Sequence, residues 1–356
     1  MNLGHVQSVA VFRALQLGDM LCSIPALRAL RTGFPSARIT LVGLPSAAAL
    51  LDRYPGLVDE LLPFPGAPGM PEQPARADEL GRFFATMRAR RFDIAIQLHG
   101  SGEVTNPIVA RLGARRMAGF VPPGMPAPSG FVTWPRALPE PLRYLRLTRA
   151  LGLPDDGPAL DFPLHAADED EASALLAASG LLAGEYICLH AGARLASRRW
   201  PLANFARVGR CLVGRGWPLV LTGSADEVPL VAELRGALGG ADPENQLVHD
   251  FAGRSSLGGM AALVANSRLL VSNDTGVSHI AAGLRHPSVI IASGSDVCRW
   301  APLDAHRHRV LWSDAPCRPC AFDRCPHGHR CAWDVTPPAV LAAIDAQLER
   351  FSHAVH

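Results

Sequence analysis

Apolar and polar residues along the chain fall into short blocks whose period changes repeatedly from strand-like runs to helical spacing. The sharpest case is Leu269-Leu270-Val271-Ser272-Asn273-Asp274-Thr275-Gly276-Val277-Ser278-His279. An apolar run stops at Ser272, a polar turn follows, and apolar positions resume at Val277, Ile280, Ala281 and Leu284. This pattern predicts a strand entering a helix, with Asp274 or Thr275 at the N-cap and Gly276 in the first turn. Backbone N–H groups at such a start, at the positive end of the helix dipole, suit a phosphate. Thr275 and His279 are four residues apart and can address one ligand. Taken alone, the segment reads equally as a capped, buried helix with a satisfied histidine.

The rest of the second half follows the same rhythm. Strands are predicted over 186–190, 218–222, 268–272 and 288–292, and helices over 202–213, 226–238, 256–265 and 275–284. The first half is less regular, with strands expected over 8–12, 38–42 and 92–98 and helical spacing over 20–30. Proline and glycine mark loops over 63–74 and 122–128. Strand and helix in alternation imply an α/β protein whose parallel sheets are covered on both faces. In such sheets, ligands sit beyond the carboxyl ends of the strands, in the loops entering helices. Asp155-Asp156-Gly157-Pro158 and Pro163 interrupt the pattern, giving one domain over 1–163 and another over 164–356 that ends in a helix.

Composition agrees with this division. A length of 356 residues exceeds what one core usually supports, and 48% hydrophobic with 19% charged residues describes a soluble globular chain. The net charge of +2 supplies no basic field for nucleic acid. No apolar stretch reaches membrane-spanning length and no secretion signal opens the chain, so a cytoplasmic protein, loosely peripheral at the inner membrane, is expected.

Each loop at a strand's carboxyl end offers candidate chemistry. Gly18-Asp19 follows the first strand; its carboxylate either caps a helix or accepts a proton from a hydroxyl, a role typically giving about 10²–10⁴-fold in rate. After the strand at 186–190, the loop Gly192 to Pro201 carries Arg194, Arg198 and Arg199, whose guanidinium forks suit a diphosphate. A solvated basic loop explains any one of these arginines, but three less well. Thr222-Gly223-Ser224 leads to Ala225-Asp226-Glu227, where a carboxylate suits a ribose diol, with helix capping by Asp226 the equal alternative. His99, Ser101 and Asn106 follow a strand of the first domain and are candidate acceptor contacts, with polar capping the alternative for the latter two.

Eight cysteines divide into two sets. Cys22, Cys188, Cys211 and Cys298 are dispersed and read as small buried residues. Cys317-x2-Cys320-x4-Cys325-x5-Cys331 is a cluster that fits a structural tetrahedral zinc or iron site, a disulfide being disfavoured in a reducing compartment.

Gly18-Asp19, the Gly192 to Pro201 loop, Gly223-Ser224 and Asn273-Asp274-Thr275-Gly276 through His279 occur in that order. Together they resemble glycosyltransferase family nine, the heptosyltransferase family, over nearly the whole chain. The resemblance implies a GT-B fold, two Rossmann-like domains with parallel sheets facing a central cleft, the C-terminal one holding a nucleotide-sugar. It implies that Asp19 is the general base of an inverting transfer needing no cofactor or metal for catalysis. The sugar would be heptose from ADP-heptose, the acceptor a lipopolysaccharide core or another lipid-linked or surface glycan. Donor contacts would come from Gly18, Gly192, Arg194, Arg198, Thr222, Gly223, Ser224, Glu227, Asp274, Thr275, Gly276 and His279. Arg198 stands where the family usually has lysine. Another nucleotide-sugar or a protein acceptor stays open within this class. Outside it, the alternatives are a catalytically silent nucleotide-sugar-binding protein and, resting on the cysteines alone, a nucleic-acid-binding metal knuckle.

Overall fold

A computed structural model of the chain describes residues 5–239 and 246–352. They form two compact units, Met1–Leu160 and Asp161–His356, each built on a six-stranded parallel sheet. Among the described residues no helix is long and apolar enough to cross a membrane.

The first unit contains β1 (Ser8–Phe12), β2 (Arg38–Gly43), β3 (Glu60–Pro63), β4 (Ile94–Gln97), β5 (Arg116–Val121) and β6 (Phe131–Thr133). Their spatial order is β3-β2-β1-β4-β5-β6. Central β1 pairs with β2 (Ser8 opposite Arg38) and with β4 (Val9 opposite Ile94). Helices cover both faces, so β1 is apolar at consecutive positions rather than at alternate ones. Phe12 meets Phe64 edge-on at 5.0 Å in the core on one side of the sheet. The helical spacing expected over 20–30 is divided between two helices, Leu17–Leu21 and Ile24–Gly33. Ser23 causes the break: its amide and its hydroxyl both donate to the Met20 carbonyl, at 2.9 and 2.7 Å. Pro25 then starts the second helix, where its missing N–H costs nothing.

The second unit contains β7 (Ile187–His190), β8 (Leu219–Leu221), β9 (Val248–Asp250), β10 (Leu269–Asn273), β11 (Ser288–Ile291) and β12 (His308–Leu311). Their order, β12-β11-β10-β7-β8-β9, repeats the arrangement of the first unit when counted from its first strand. Ile187 and Leu189 enter one core with Trp200 and Phe205, while Cys188 and Tyr186 enter the other with Phe251. Successive residues of β7 thus serve opposite layers, which is why a strand buried on both faces reads as one unbroken apolar run. The helix expected over 226–238 begins as a 3₁₀ turn, Ala225–Glu227, and becomes α-helical over Val228–Ala237.

Candidate functional site

In the second unit the strand order reverses between β7 and β10. Loops leaving two such strands diverge and open a crevice beyond their carboxyl ends, the usual ligand position in an open parallel sheet. Asn273, the fully buried last residue of β10, ties the β7 loop to its own. Its Oδ1 accepts from the Trp200 amide at 2.8 Å, and its Nδ2 donates to the carbonyls of Ala191 at 2.8 Å and Gly192 at 3.3 Å. Trp200 anchors the far end of the loop: its indole N–H donates to the Val335 carbonyl at 2.8 Å and its ring packs edge-on against Phe205. Between these anchors Arg194 is exposed, while Arg198 and Arg199 are half-buried. Arg199 Nε donates to the Ala193 carbonyl at 2.8 Å, and Arg198 Nη2 donates to the Cys320 carbonyl at 2.7 Å.

Beyond β10, Thr275 is the N-cap of the helix Gly276–Gly283. The Ser278 hydroxyl accepts from the Thr275 amide at 3.4 Å and donates to the Thr275 carbonyl at 2.7 Å. The Asp274 amide is held by the Ile291 carbonyl at 3.0 Å, leaving Asp274, Thr275 and Gly276 half-buried at the helix start. Amides of a first helical turn have no carbonyl one turn earlier to bond, so this end of the helix favours an anion. His279 lies one turn further along the same helix. It is 5% exposed, with its ring edge-on to Trp300 at 6.0 Å.

Glu227 joins the β7 and β8 loops. Its Oε2 accepts from the Ser224 amide at 2.9 Å, so the carboxylate that closes the 3₁₀ turn is Glu227 and not Asp226, the capping residue expected from sequence. The same oxygen lies 3.8 Å from His190 Nε2. A Cβ placed on Gly192 would fall 2.0 Å from Glu227 Oε1, so a side chain at 192 would displace the carboxylate from its present position. Thr222 Oγ1 lies 3.1 Å from His190 Nδ1. Burial holds the His190 pKa below the usual imidazole range, with Glu227 opposing, and the ring stays neutral near pH 7. Gly223 packs at the start of the β8 loop, its carbonyl accepting from the Gly253 amide at 2.9 Å. Sequence alone assigns no role to His190, or to Asn273 at the head of its motif. Their signal was a polar residue closing an apolar run at a strand's carboxyl end.

In the first unit Asp19 lies half-buried in the helix Leu17–Leu21, next to Gly18. Its backbone carbonyl accepts from Nε of Arg13 at 3.1 Å and also from Nη2. Arg13 is wholly buried. Nη1 donates to the Leu98 carbonyl, and the guanidinium sits 4.4 Å over the Tyr144 ring. Tyr144 in turn donates to Glu140, a buried carboxylate 3.4 Å from Arg143. Burial would lower the Arg13 pKa, but Tyr144, Asp19 and Glu140 outweigh it and the value is raised.

His99 accepts from the Ala14 amide at 3.3 Å through Nδ1, and Nε2 lies 3.5 Å from Glu72. The Asn106 side chain donates to the Phe120 carbonyl at 2.8 Å, and Ser101 is half-buried in the turn between them. Fully buried Gln97 stitches this turn, donating to Thr105 Oγ1 at 2.7 Å and accepting from the Phe120 amide at 3.2 Å. His99 and Asn106 are therefore bonded within their own unit.

The cysteine cluster departs from the expected metal centre. Cys317, Cys320, Cys325 and Cys331 are free thiols, and among the described residues no three His, Cys, Asp or Glu side chains gather to hold a metal. Other bonds shape the segment. The Cys320 amide donates to the Gly294 carbonyl at 2.9 Å, His329 Nε2 contacts the Ser197 carbonyl at 2.9 Å, and Cys325 Sγ accepts from the His327 amide at 3.4 Å. Burial raises the Cys331 thiol pKa, with the Cys317 and Cys320 thiols adding to it and the Gly294 amide and Arg318 opposing.

The chain matches glycosyltransferase family 9 (heptosyltransferase) over residues 80–330. It is 27% identical over 345 residues to lipopolysaccharide heptosyltransferase 2 of Salmonella typhimurium, covering 93% of this chain and 96% of that protein. Its fold matches a family 9 glycosyltransferase from Veillonella parvula with TM-score 0.77 at 20% identity, over 98% and 99% of the two chains. It also matches the ADP-heptose lps heptosyltransferase II of E. coli with TM-score 0.71 at 24% identity, over 97% and 99%. The α/β fold of two parallel-sheet units is thus that of the GT-B transferases.

Proposed function

The chain belongs to glycosyltransferase family 9, and on that premise we propose that it transfers heptose from ADP-heptose to a lipopolysaccharide core. The observation that carries this reading is the Asn273 tie, which joins an arginine-bearing loop to a capped helix start at the strand-order reversal of the second unit. Charge complementarity to a diphosphate supports it, since Arg194, Arg198 and Arg199 share one pinned loop. The relatives named for lipopolysaccharide and ADP-heptose supply the two substrates. A lipid-linked acceptor places the work at a membrane surface.

The reaction is a displacement at the anomeric carbon. An acceptor hydroxyl gives its proton to the Asp19 carboxylate while its oxygen bonds to the anomeric carbon on the face opposite the diphosphate. The bond from that carbon to the diphosphate oxygen breaks, and ADP leaves with the electron pair, so configuration inverts. Negative charge growing on the leaving group is met by the Thr275–Gly276 helix start and the arginines of the β7 loop, fixed dipoles and charges that act without a metal. Glu227 serves the ribose, and Thr222, Gly223 and Ser224 shape the floor beneath it. His99, Ser101 and Asn106 serve the acceptor in the first unit. Asp274 and His279 hold the phosphate turn, and Gly18, without a side chain, precedes Asp19 in the same helix.

Melting curves with nucleoside diphosphates test the donor half. ADP at a hundredfold excess over Kd adds about 2.7 kcal/mol of stability, whereas UDP and GDP add less. Release of ADP from ADP-heptose, dependent on a heptose-deficient lipopolysaccharide, tests the whole. Stabilisation by no nucleoside diphosphate, or binding without turnover on that pair, would overturn it.

A further inference from the structure

A buried guanidinium bonded to the backbone of the proposed base is unusual, because an ionised group out of water needs close compensation. Arg13 has it on three sides: the Asp19 and Leu98 carbonyls, the Tyr144 ring, and the carboxylate of Glu140 beyond Tyr144. Its bonds to Asp19 also replace a helical one. In a continuing helix the Asp19 carbonyl would accept from the Ser23 amide, but that amide bonds Met20 instead. The helix Leu17–Leu21 ends there, and the Asp19 peptide is held from within the fold by a side chain six residues earlier. Through Nη1 the same guanidinium fixes the end of β4, where the His99 turn begins.

We propose that Arg13 is a positioning residue for transfer: its fork sets the orientation of the Asp19 peptide relative to the His99 turn, and it places a positive charge beside the Asp19 side chain. The inference rests on the reading of Asp19 as base. An isolated structural salt link would need only one bond and no shared carbonyl. Here two guanidinium nitrogens converge on Asp19 and the third reaches the neighbouring strand end, geometry that Lys cannot reproduce. The ionisable groups facing this cluster are Asp19, Tyr144 and Glu140, with Arg143 behind Glu140, and with His99 and Glu72 behind Ala14.

The test compares Arg13→Gln, Arg13→Lys and Asp19→Ala, using ADP-heptose and heptose-deficient lipopolysaccharide as substrates and ADP binding as a separate readout. Arg13→Gln is expected to lose about 100-fold in kcat, the scale of a misplaced reacting group, with KM for ADP-heptose and ADP affinity unchanged. Removing a cation beside a carboxylate disfavours its ionised form, so the acid limb of the pH–rate profile moves to higher pH. Arg13→Lys restores the limb but not the rate. Parental kcat and limb in both Arg13 variants, or a rate loss with an unmoved limb and an equal loss of ADP binding, would overturn the inference. Should Arg13→Gln show no cooperative melting, Arg13→Lys decides by the same criteria. Active Asp19→Ala sinks the base reading and this inference with it. Inactive Asp19→Ala beside parental Arg13 variants sinks this inference alone.

Discussion

The Trp200 amide donates a 2.8 Å hydrogen bond to the Asn273 side chain, joining two loops that are 73 residues apart in the chain. The other end of the same amide side chain reaches the Ala191 and Gly192 carbonyls, so one buried residue satisfies three backbone groups. Asn273→Leu keeps the volume and orphans all three. Each buried, unsatisfied group costs about 1–3 kcal/mol, so urea unfolding should show several kcal/mol of lost stability. ADP affinity should fall with it. An unchanged unfolding midpoint would show that the loop is held elsewhere.

Gly192 and Glu227 give a second, independent test. A Cβ at 192 meets the carboxylate at 2.0 Å and pushes it off the Ser224 amide, and losing that bond costs about 0.5–1.5 kcal/mol. Gly192→Ala should therefore weaken both stability and ADP binding, and adding Glu227→Ser, which removes the same bond, should cost little further stability. Additive losses in this double-mutant cycle would separate the two residues.

Asp19→Ala should abolish heptose transfer while leaving ADP binding intact, because Asp19 belongs to the first unit and the phosphate turn to the second. Calorimetric titration of ADP alongside the transfer assay checks both halves of the statement.

His286 and His308 make stability sensitive to acid. Burial, with His308 adding for His286, pushes their pKa values down to about 3 and about 4. Both rings are neutral in the folded chain, while the unfolded chain takes up protons below about 6.5. Stability is accordingly full above that pH and is lost as pH falls from about 6.5 toward 4, by roughly 3 kcal/mol for His308 alone. His308→Asn, retaining a partner for Ser288, should flatten the dependence of melting temperature on pH in that window. An unaltered slope would assign the acid sensitivity to other groups.

The central strands of the second unit were readable because residues such as Ile187 to Leu189 and Leu269 to Val271 are buried on both faces and have to be apolar throughout. The short outer strands Val248–Asp250 and His308–Leu311 carry histidine, aspartate and arginine and gave no such run. Glu60–Pro63 and Phe131–Thr133 are hidden for the same reason, lying half-exposed at the edges of the first sheet. At the candidate site, the capped turn at Thr275 was visible because capping is local. The roles of Arg13, Gln97 and Asn273 were not, since each binds groups brought near only by sheet pairing. The cysteine spacing suggested a metal, but spacing constrains only the order of thiols, not the bonds to Gly294 and Ser197 that shape the segment.

The placement of β1 and β7 at the middle of their sheets bears on how the chain is made. Each is the first strand of its unit to be synthesised, yet one of its two edges stays open until Ile94 or Leu269 arrives. At about 5–20 residues per second, a nascent chain carries that bare edge for seconds. A ribosomal stall between β2 and β4 would leave a sticky, half-zipped ribbon, whereas a stall once all of Met1–Leu160 has emerged would leave a finished first unit. Slow codons would be tolerated at the second point and harmful at the first.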